Sequence, residues 1–232
     1  MAGCAEFPRS PFFVLPVMNS IFDINCRRCP RLATFLDAVH QAEPGYFCRP
    51  VPPFGDPNAR LLIVGLAPGM HGANRTGRPF TGDHAGILLY ATLFKFGLGS
   101  RPVSVAAADG LQLLDARITN SVKCLPPLNK PLPIEIKVCN DFLRAELEQS
   151  APVGAILALG AIAHGAVLRA LDLPPARYRF AHGAEHGLTG GRVLVDSYHC
   201  SRYNTQTRRL TPSMFEAVVQ RARDLALQER PR

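Results

Sequence analysis

The stretch RLLIVGLAPGMHGANRTGRPFTGDHAGILLYATLFKFG, residues 60–97, decides the fold. It opens on RLLIVGL (60–66), a short apolar run ending in a glycine loop, which reads as a buried strand. It closes on AGILLYATLFKFG (85–97), with apolar residues at helical spacing and a stop at Gly97. Strand, glycine-rich loop and helix in that order form the opening of an α/β fold. The same alternation recurs downstream. ARITNSV (116–122), VGAILALG (153–160) and GRVLVDSYH (191–199) read as strands. PIEIKVCNDFLRAELEQS (133–150), AIAHGAVLRALD (161–172) and TPSMFEAVVQRARDLALQER (211–230) read as helices, the last with Thr211 as N-cap and Pro212 in its first turn. The expectation is a three-layer α/β/α sandwich around a parallel sheet of about four strands.

The chain is expected to form a single domain over residues 1–232, with a proline-rich, irregular segment 1–58 wrapped around the core. No repeat or low-complexity tract interrupts it. In open parallel sheets the site lies at the carboxyl ends of the strands. That rule brings together the loop after Gly65, the segment around Asn120 and the segment from His199.

The glycine loop lacks the Gly-Lys-Ser/Thr of a Walker A loop and is not GxGxxG, so a plain nucleotide-binding motif is disfavoured. What it carries instead is an aromatic, Phe80, two cations, Arg75 and Arg78, a carboxylate, Asp83, and two imidazoles, His71 and His84. An aromatic face stacks on a base, arginines hold phosphates, and a carboxylate orients water or stabilises a cation. Taken singly, Phe80 also fits core packing and Asp83 fits a helix N-cap. Asn120 offers a donor and an acceptor that match a base edge, and equally suits a loop tie. After His199, the side chains Ser201, Arg202, Asn204, Arg208 and Arg209 are placed to reach a nucleic-acid backbone. His164, His182 and His186 read as structural.

A net charge of +8 favours an anionic partner, nucleic acid first among them. No run approaches the roughly 18 apolar residues of a membrane span. PFFVLPVMNSIF (11–22) is broken by two prolines and lacks the frame of a signal peptide, so a cytoplasmic protein without membrane association is expected. Seven cysteines without an export signal argue against a disulfide framework. Cys26 and Cys29 form a CxxC clamp, and Cys124 and Cys139 supply two further thiolates, a set that suits an iron–sulfur cluster or structural zinc. Cys4, Cys48 and Cys200 remain unassigned. On these residues alone two other functions stay open: an iron–sulfur redox protein, and a non-catalytic nucleic-acid-binding module with a structural metal.

GLAPGMHGANRTGRPFTGD (65–83), TNSVKC (119–124), HCSRYN (199–204) and the four cysteines together resemble the uracil-DNA glycosylase superfamily, in particular its iron–sulfur-containing family 5. The resemblance runs from about residue 20 to the C-terminus. It implies a monomeric base-excision-repair hydrolase that removes uracil and other deaminated or damaged bases from duplex or single-stranded DNA, and a [4Fe–4S] cluster on Cys26, Cys29, Cys124 and Cys139. It implies a base pocket of Gly65, Ala67, Gly69, Phe80, Asn120 and His199. Phe80 would stack on the flipped base, Asn120 would read its edge and His199 would face its O2. It implies DNA contacts by Arg75, Arg78, Ser201, Arg202, Asn204, Arg208 and Arg209. Two departures stand out. Many relatives carry a polar catalytic residue where this chain has Leu66 and Ala67, which moves attention to Asp83. Many have proline where this chain has Cys200.

Overall fold

The computed structural model describes residues 22–149 and 153–228. Its centre is a six-stranded sheet of β1 (Phe54–Gly55), β2 (Leu61–Gly65), β3 (Ala116–Asn120), β4 (Ala155–Leu159), β5 (Glu185–Gly187) and β6 (Val193–Ser197), in the order β1-β3-β2-β4-β6-β5. The four central strands pair in parallel, with Gly65 opposite Asn120 and Leu62 opposite Ile156. These are the four strands expected from the sequence. The two antiparallel edge strands are additions, and at two and three residues they are too short to show a period.

Alternate residues of each strand enter opposite cores, because the side-chain period of a strand is two. Leu61, Ile63, Leu157 and Val195 face α3 (His84–Lys95) and α7 (Pro212–Leu227). Leu62, Val64, Ile156 and Leu194 face α4 (Pro133–Gln149) and α5 (Ala161–Ala170). Both faces are covered, which is why the strands read as continuous apolar runs. Each fully buried leucine or valine contributes roughly 1.5–3 kcal/mol against leaving it in water. Thr211 caps α7 by accepting from the Met214 N–H at 3.3 Å, and Pro212 occupies the first turn.

The segment expected to be irregular over 1–58 contains α1 (Pro30–Ala42), a correction to that expectation. Its apolar residues Leu32, Ala33, Leu36 and Val39 recur at helical spacing and are buried. Pro30 fits the first turn of a helix, where its missing N–H costs nothing. Cys4 and most of the apolar stretch 11–22 lie outside the described residues. Three short helices or turns finish the site side of the sheet: α2 (Ala73–Thr76) in the glycine loop, a 3-10 turn over Pro127–Asn129, and α6 (Arg202–Gln206).

Candidate active site

The connection from β2 leads to β3 on one side of the sheet, and that from β4 leads to β6 on the other. The crevice at this switch between β2 and β4 is where ligands bind in open α/β sheets. A cavity of about 510 Å³ opens there. Leu66, Ala67 and Gly69 line it from the end of β2, Asn120 from β3, and His199 from beyond β6. Leu159, Gly160, Ala161 and Ile162 add a wall from the end of β4, and Asn129 adds another from the 3-10 turn.

Phe80 is fixed in this cavity by local chemistry. Its backbone takes a left-handed φ of 54°, uncommon for a bulky residue. The Tyr90 hydroxyl donates to the preceding Pro79 carbonyl at 2.7 Å and holds the turn. Gly65 stands behind the ring: a Cβ there would lie 2.7 Å from Phe80 Cζ and 2.4 Å from Asn120 Oδ1. Gly65, expected to line the pocket, therefore acts one layer back by leaving room for two residues that do line it. The Phe80 and His199 rings lie nearly parallel, 26° apart in plane, with centroids 5.8 Å apart.

Asn120 is buried and its Oδ1 has no hydrogen-bond partner among the described residues. The same holds for His199 Nδ1. A sealed polar atom without a partner costs about 1–3 kcal/mol. Asn120 and His199 both line the cavity, so each brings an unsatisfied polar side chain to its wall. Burial lowers the His199 pKa to about 4, so its ring is neutral at pH 7 and has a donor on one nitrogen only. Asp83 caps α3, accepting from the Gly86 N–H at 2.9 Å through Oδ1. It also lines the cavity, and a Cβ on Gly72 would lie 2.6 Å from its Oδ2. Burial pushes the Asp83 pKa up, against the pull of the Gly86 and Ala85 N–H groups. Capping and lining the cavity are thus compatible in one side chain.

Cys26, Cys29, Cys124 and Cys139 line a single small crevice, packed with Leu32, Val122 and Phe142. Burial raises the Cys124 and Cys139 thiols, and for Cys124 the nearby sulfurs of Cys139, Cys26 and Cys29 raise it further. The Lys123 N–H donates to Cys139 Sγ at 3.3 Å. Cys48 lies apart, accepting from Asn74 Nδ2. Cys200 is fully buried in the core.

A family model described as the uracil DNA glycosylase superfamily matches residues 52–223. The chain belongs to the uracil-DNA glycosylase superfamily. A Thermus thermophilus protein named type-5 uracil-DNA glycosylase is 48% identical over 207 residues, 87% of this chain and 94% of that protein. A Mycobacterium leprae protein of the same name is 44% identical over 220 residues, 91% of this chain and 96% of that protein. A type-4 uracil-DNA glycosylase of Archaeoglobus fulgidus is 33% identical over 162 residues.

Within this superfamily member, the residues expected to touch DNA divide into three groups. Arg75, Arg202, Arg208 and Arg209 are exposed, and Arg202 lines the cavity. Arg209 lies over the Tyr198 ring at 4.6 Å. Ser201 and Asn204 have structural engagements: Ser201 caps α6, and Asn204 Nδ2 donates to the His199 carbonyl at 2.8 Å, holding that residue's backbone. Arg78 corrects the expectation. It is 4% exposed, donates to Asp109 at 2.7 Å and Ser104 Oγ at 3.0 Å, bonds the Ala107 carbonyl, and lies over the Phe54 ring. A guanidinium so enclosed offers almost no surface to a phosphate.

His164, read as structural, is buried. Its Nε2 faces the Tyr178 carbonyl at 3.0 Å and its Nδ1 faces Asp196 Oδ1 at 2.8 Å. His186 Nε2 meets the other Asp196 oxygen at 3.1 Å. Both partners of His164 are acceptors, so an imidazolium satisfies them together. This trio also brings three ligand-type atoms within 4.8 Å of one another, and protons alone account for its geometry. No helix among the described residues is long and apolar enough to cross a membrane.

Proposed function

We propose that this superfamily member excises uracil and other deaminated bases from DNA by hydrolysing the N-glycosidic bond. The observation that carries the reading is one cavity holding an aromatic ring, Phe80, beside two sealed and unpartnered polar atoms, Asn120 Oδ1 and His199 Nδ1. A base taken out of the duplex offers a π face and a polar edge, the complement of that arrangement. Phe80 stacks on the base and Asn120 pairs with its edge. As the bond from C1′ to the base nitrogen breaks, positive charge grows on the sugar and negative charge on the base. His199, neutral because it is buried, donates to the departing base. The Asp83 carboxylate stands on the sugar side, where it stabilises the cation or orients the water, whose hydroxyl adds to C1′ and whose proton passes to the released base. Leu66 and Ala67 contribute shape only. Arg75, Arg202, Arg208 and Arg209 hold the phosphates around the site.

The four cysteines fit a [4Fe–4S] cluster. Four cysteines lining one crevice are the donor set such a cluster takes. Its contribution is structural: it would join the N-terminal segment and α1 to β3 and α4 beside the site.

The deciding experiment is single-turnover base release from duplexes carrying uracil, hypoxanthine or xanthine. Wild-type protein releases uracil, and Asn120→Ala does so far more slowly with its fold intact. Absence of release from every lesion by iron-loaded protein overturns the reading.

A further inference from the structure

A second cavity, of about 410 Å³, adjoins the base pocket and shares Asp83, His84 and Arg202 with it. Its floor is apolar and open to water: Ile87 is 63% exposed, Val103 55% and Val105 65%. Exposed apolar side chains scattered singly are ordinary, but three on one concave surface mark a place for a partner. The rim is cationic. Arg75 and Arg202 are both exposed, and among the described residues neither has a carboxylate partner.

The valine wall is held by a hydrogen-bond network centred on Arg78 and Asp109. Arg78 pairs with Asp109 and Ser104. Asp109 in turn accepts from the N–H groups of Val105 at 2.8 Å and Leu111 at 2.9 Å. Ser104 Oγ meets Thr81 Oγ1 at 2.7 Å, next to Phe80. The loop bearing Val103 and Val105 is thereby tied to the loop bearing Phe80 and Asp83. A surface excursion with two exposed valines gains nothing from such a clamp unless its position matters to what binds.

We propose that this cavity is a subsite for the nucleotide next to the lesion on the damaged strand. Its base rests on Ile87, Val103 and Val105, and its phosphate meets Arg75 and Arg202. A nucleotide is a flat apolar face joined to an anion, which is what this floor and rim complement. A strand with one base in the first cavity passes over the shared Asp83–His84–Arg202 wall, so an adjacent nucleotide is the group the connectivity delivers. The proposal rests on the glycosylase reading and makes the enzyme sensitive to the base flanking its lesion.

The test uses three single-stranded oligonucleotides with the lesion internal, at the 5′ end or at the 3′ end, and the double variant Val103→Ser, Val105→Asp. On the internal lesion the variant should need about 10-fold more DNA for half-maximal cleavage, the scale of two valines losing an apolar partner, with the maximal rate kept. On the oligonucleotide lacking the relevant neighbour, wild type and variant should coincide, which also identifies the 5′ or 3′ side. Val105→Ile, which keeps the floor apolar, should retain the dependence on that neighbour. Equal loss on all three substrates, or no loss on any, overturns the proposal. Anisotropy with matching oligonucleotides that carry a stable abasic analogue makes the same comparison without cleavage. Failure of the glycosylase reading is thereby kept distinct from failure of the subsite.

Discussion

Gly65 and Asn120 are opposite one another in the β2–β3 ladder, and the glycine exists for the asparagine: a Cβ at 65 would stand 2.4 Å from Asn120 Oδ1. That distance is well inside contact, and Phe80 blocks the alternative direction. Gly65→Ala must therefore displace the base-edge reader, the stacking ring or both. The expected result is a folded protein destabilised by about 1–3 kcal/mol, as for overpacking elsewhere. Single-turnover cleavage should fall on the order of 100-fold, since misplacement near 1 Å costs that much. A wild-type rate in Gly65→Ala would show that the two side chains are not held as described.

The Arg78–Asp109 pair yields a stability prediction. Arg78→Met leaves the half-buried Asp109 without its cation, and the cost should approach the lower end of the roughly 3–5 kcal/mol for truncating one partner of a buried pair. Burial pushes the Asp109 carboxyl up, but the Leu111 N–H, Arg78 and the Val105 and Ala106 N–H groups together hold it well below the usual range. A lowered pKa gives stability that is present above the unfolded value, near 3.9, and is lost as pH falls through the folded value. Thermal melts from pH 6 to pH 3 should show the wild type beginning to lose this share and Asp109→Asn losing none of it. Parallel curves for the two proteins would refute the assignment.

His164 gives the opposite sign. Burial lowers its pKa, but the hydrogen bond and charge of Asp196 outweigh that, and the net shift is upward. A raised pKa contributes stability that is complete below the unfolded value, near 6.5, and is lost as pH rises through the folded one. The gap in Tm between wild type and His164→Gln should therefore narrow between pH 6 and pH 9. A gap that widens with pH would mean the ring is neutral in the fold.

Much of this site was legible in the sequence because a parallel sheet places strand ends together. Phe80, Asp83, Asn120 and His199 each follow a readable apolar run, and the fold rule collects them. What escaped detection lacked periodicity. Asp109 is 31 residues from Arg78 in a loop with no repeat, so nothing in the sequence marked Arg78 as buried. Asn129 reaches the cavity from a turn of left-handed backbone, which composition does not reveal. Leu159 to Ile162 were readable as a strand end and the start of a helix. Their place on the wall follows from β4 pairing directly with β2, a neighbour relation that periodicity does not fix.

The cysteine assignment predicts about four irons per chain and a brown protein. Serine at Cys26, Cys29, Cys124 or Cys139 should lower iron content and solubility together. Serine at Cys48 should leave iron unchanged, because that sulfur is engaged by Asn74 outside the crevice. Chemical iron analysis and absorbance near 400 nm read the outcome. Full iron in Cys139→Ser, or loss of iron in Cys48→Ser, would redraw the ligand set.

Asp83 and His199 divide the chemistry, and the cap on α3 supplies the means of isolating one of them. Asparagine caps a helix about as well as aspartate, so Asp83→Asn keeps the bond to the Gly86 N–H and removes only the charge. Stability should change by a few tenths of a kcal/mol while single-turnover cleavage falls, with affinity for lesion DNA nearly unchanged. Because burial raises the Asp83 pKa, the acid limb of the wild-type rate should lie above the ordinary carboxylate range and vanish in Asp83→Asn. His199, with its pKa near 4, stays neutral through the working range and adds no limb of its own between pH 5.5 and pH 8. His199→Ala should cost roughly 100-fold or more, the usual loss of a donor to developing charge, and His199→Asn less, since it restores a donor. If Asp83→Asn cleaves every lesion at the wild-type rate with its acid limb unmoved, Asp83 is a helix cap and nothing more, and the cation must be met by the phosphates of the DNA itself.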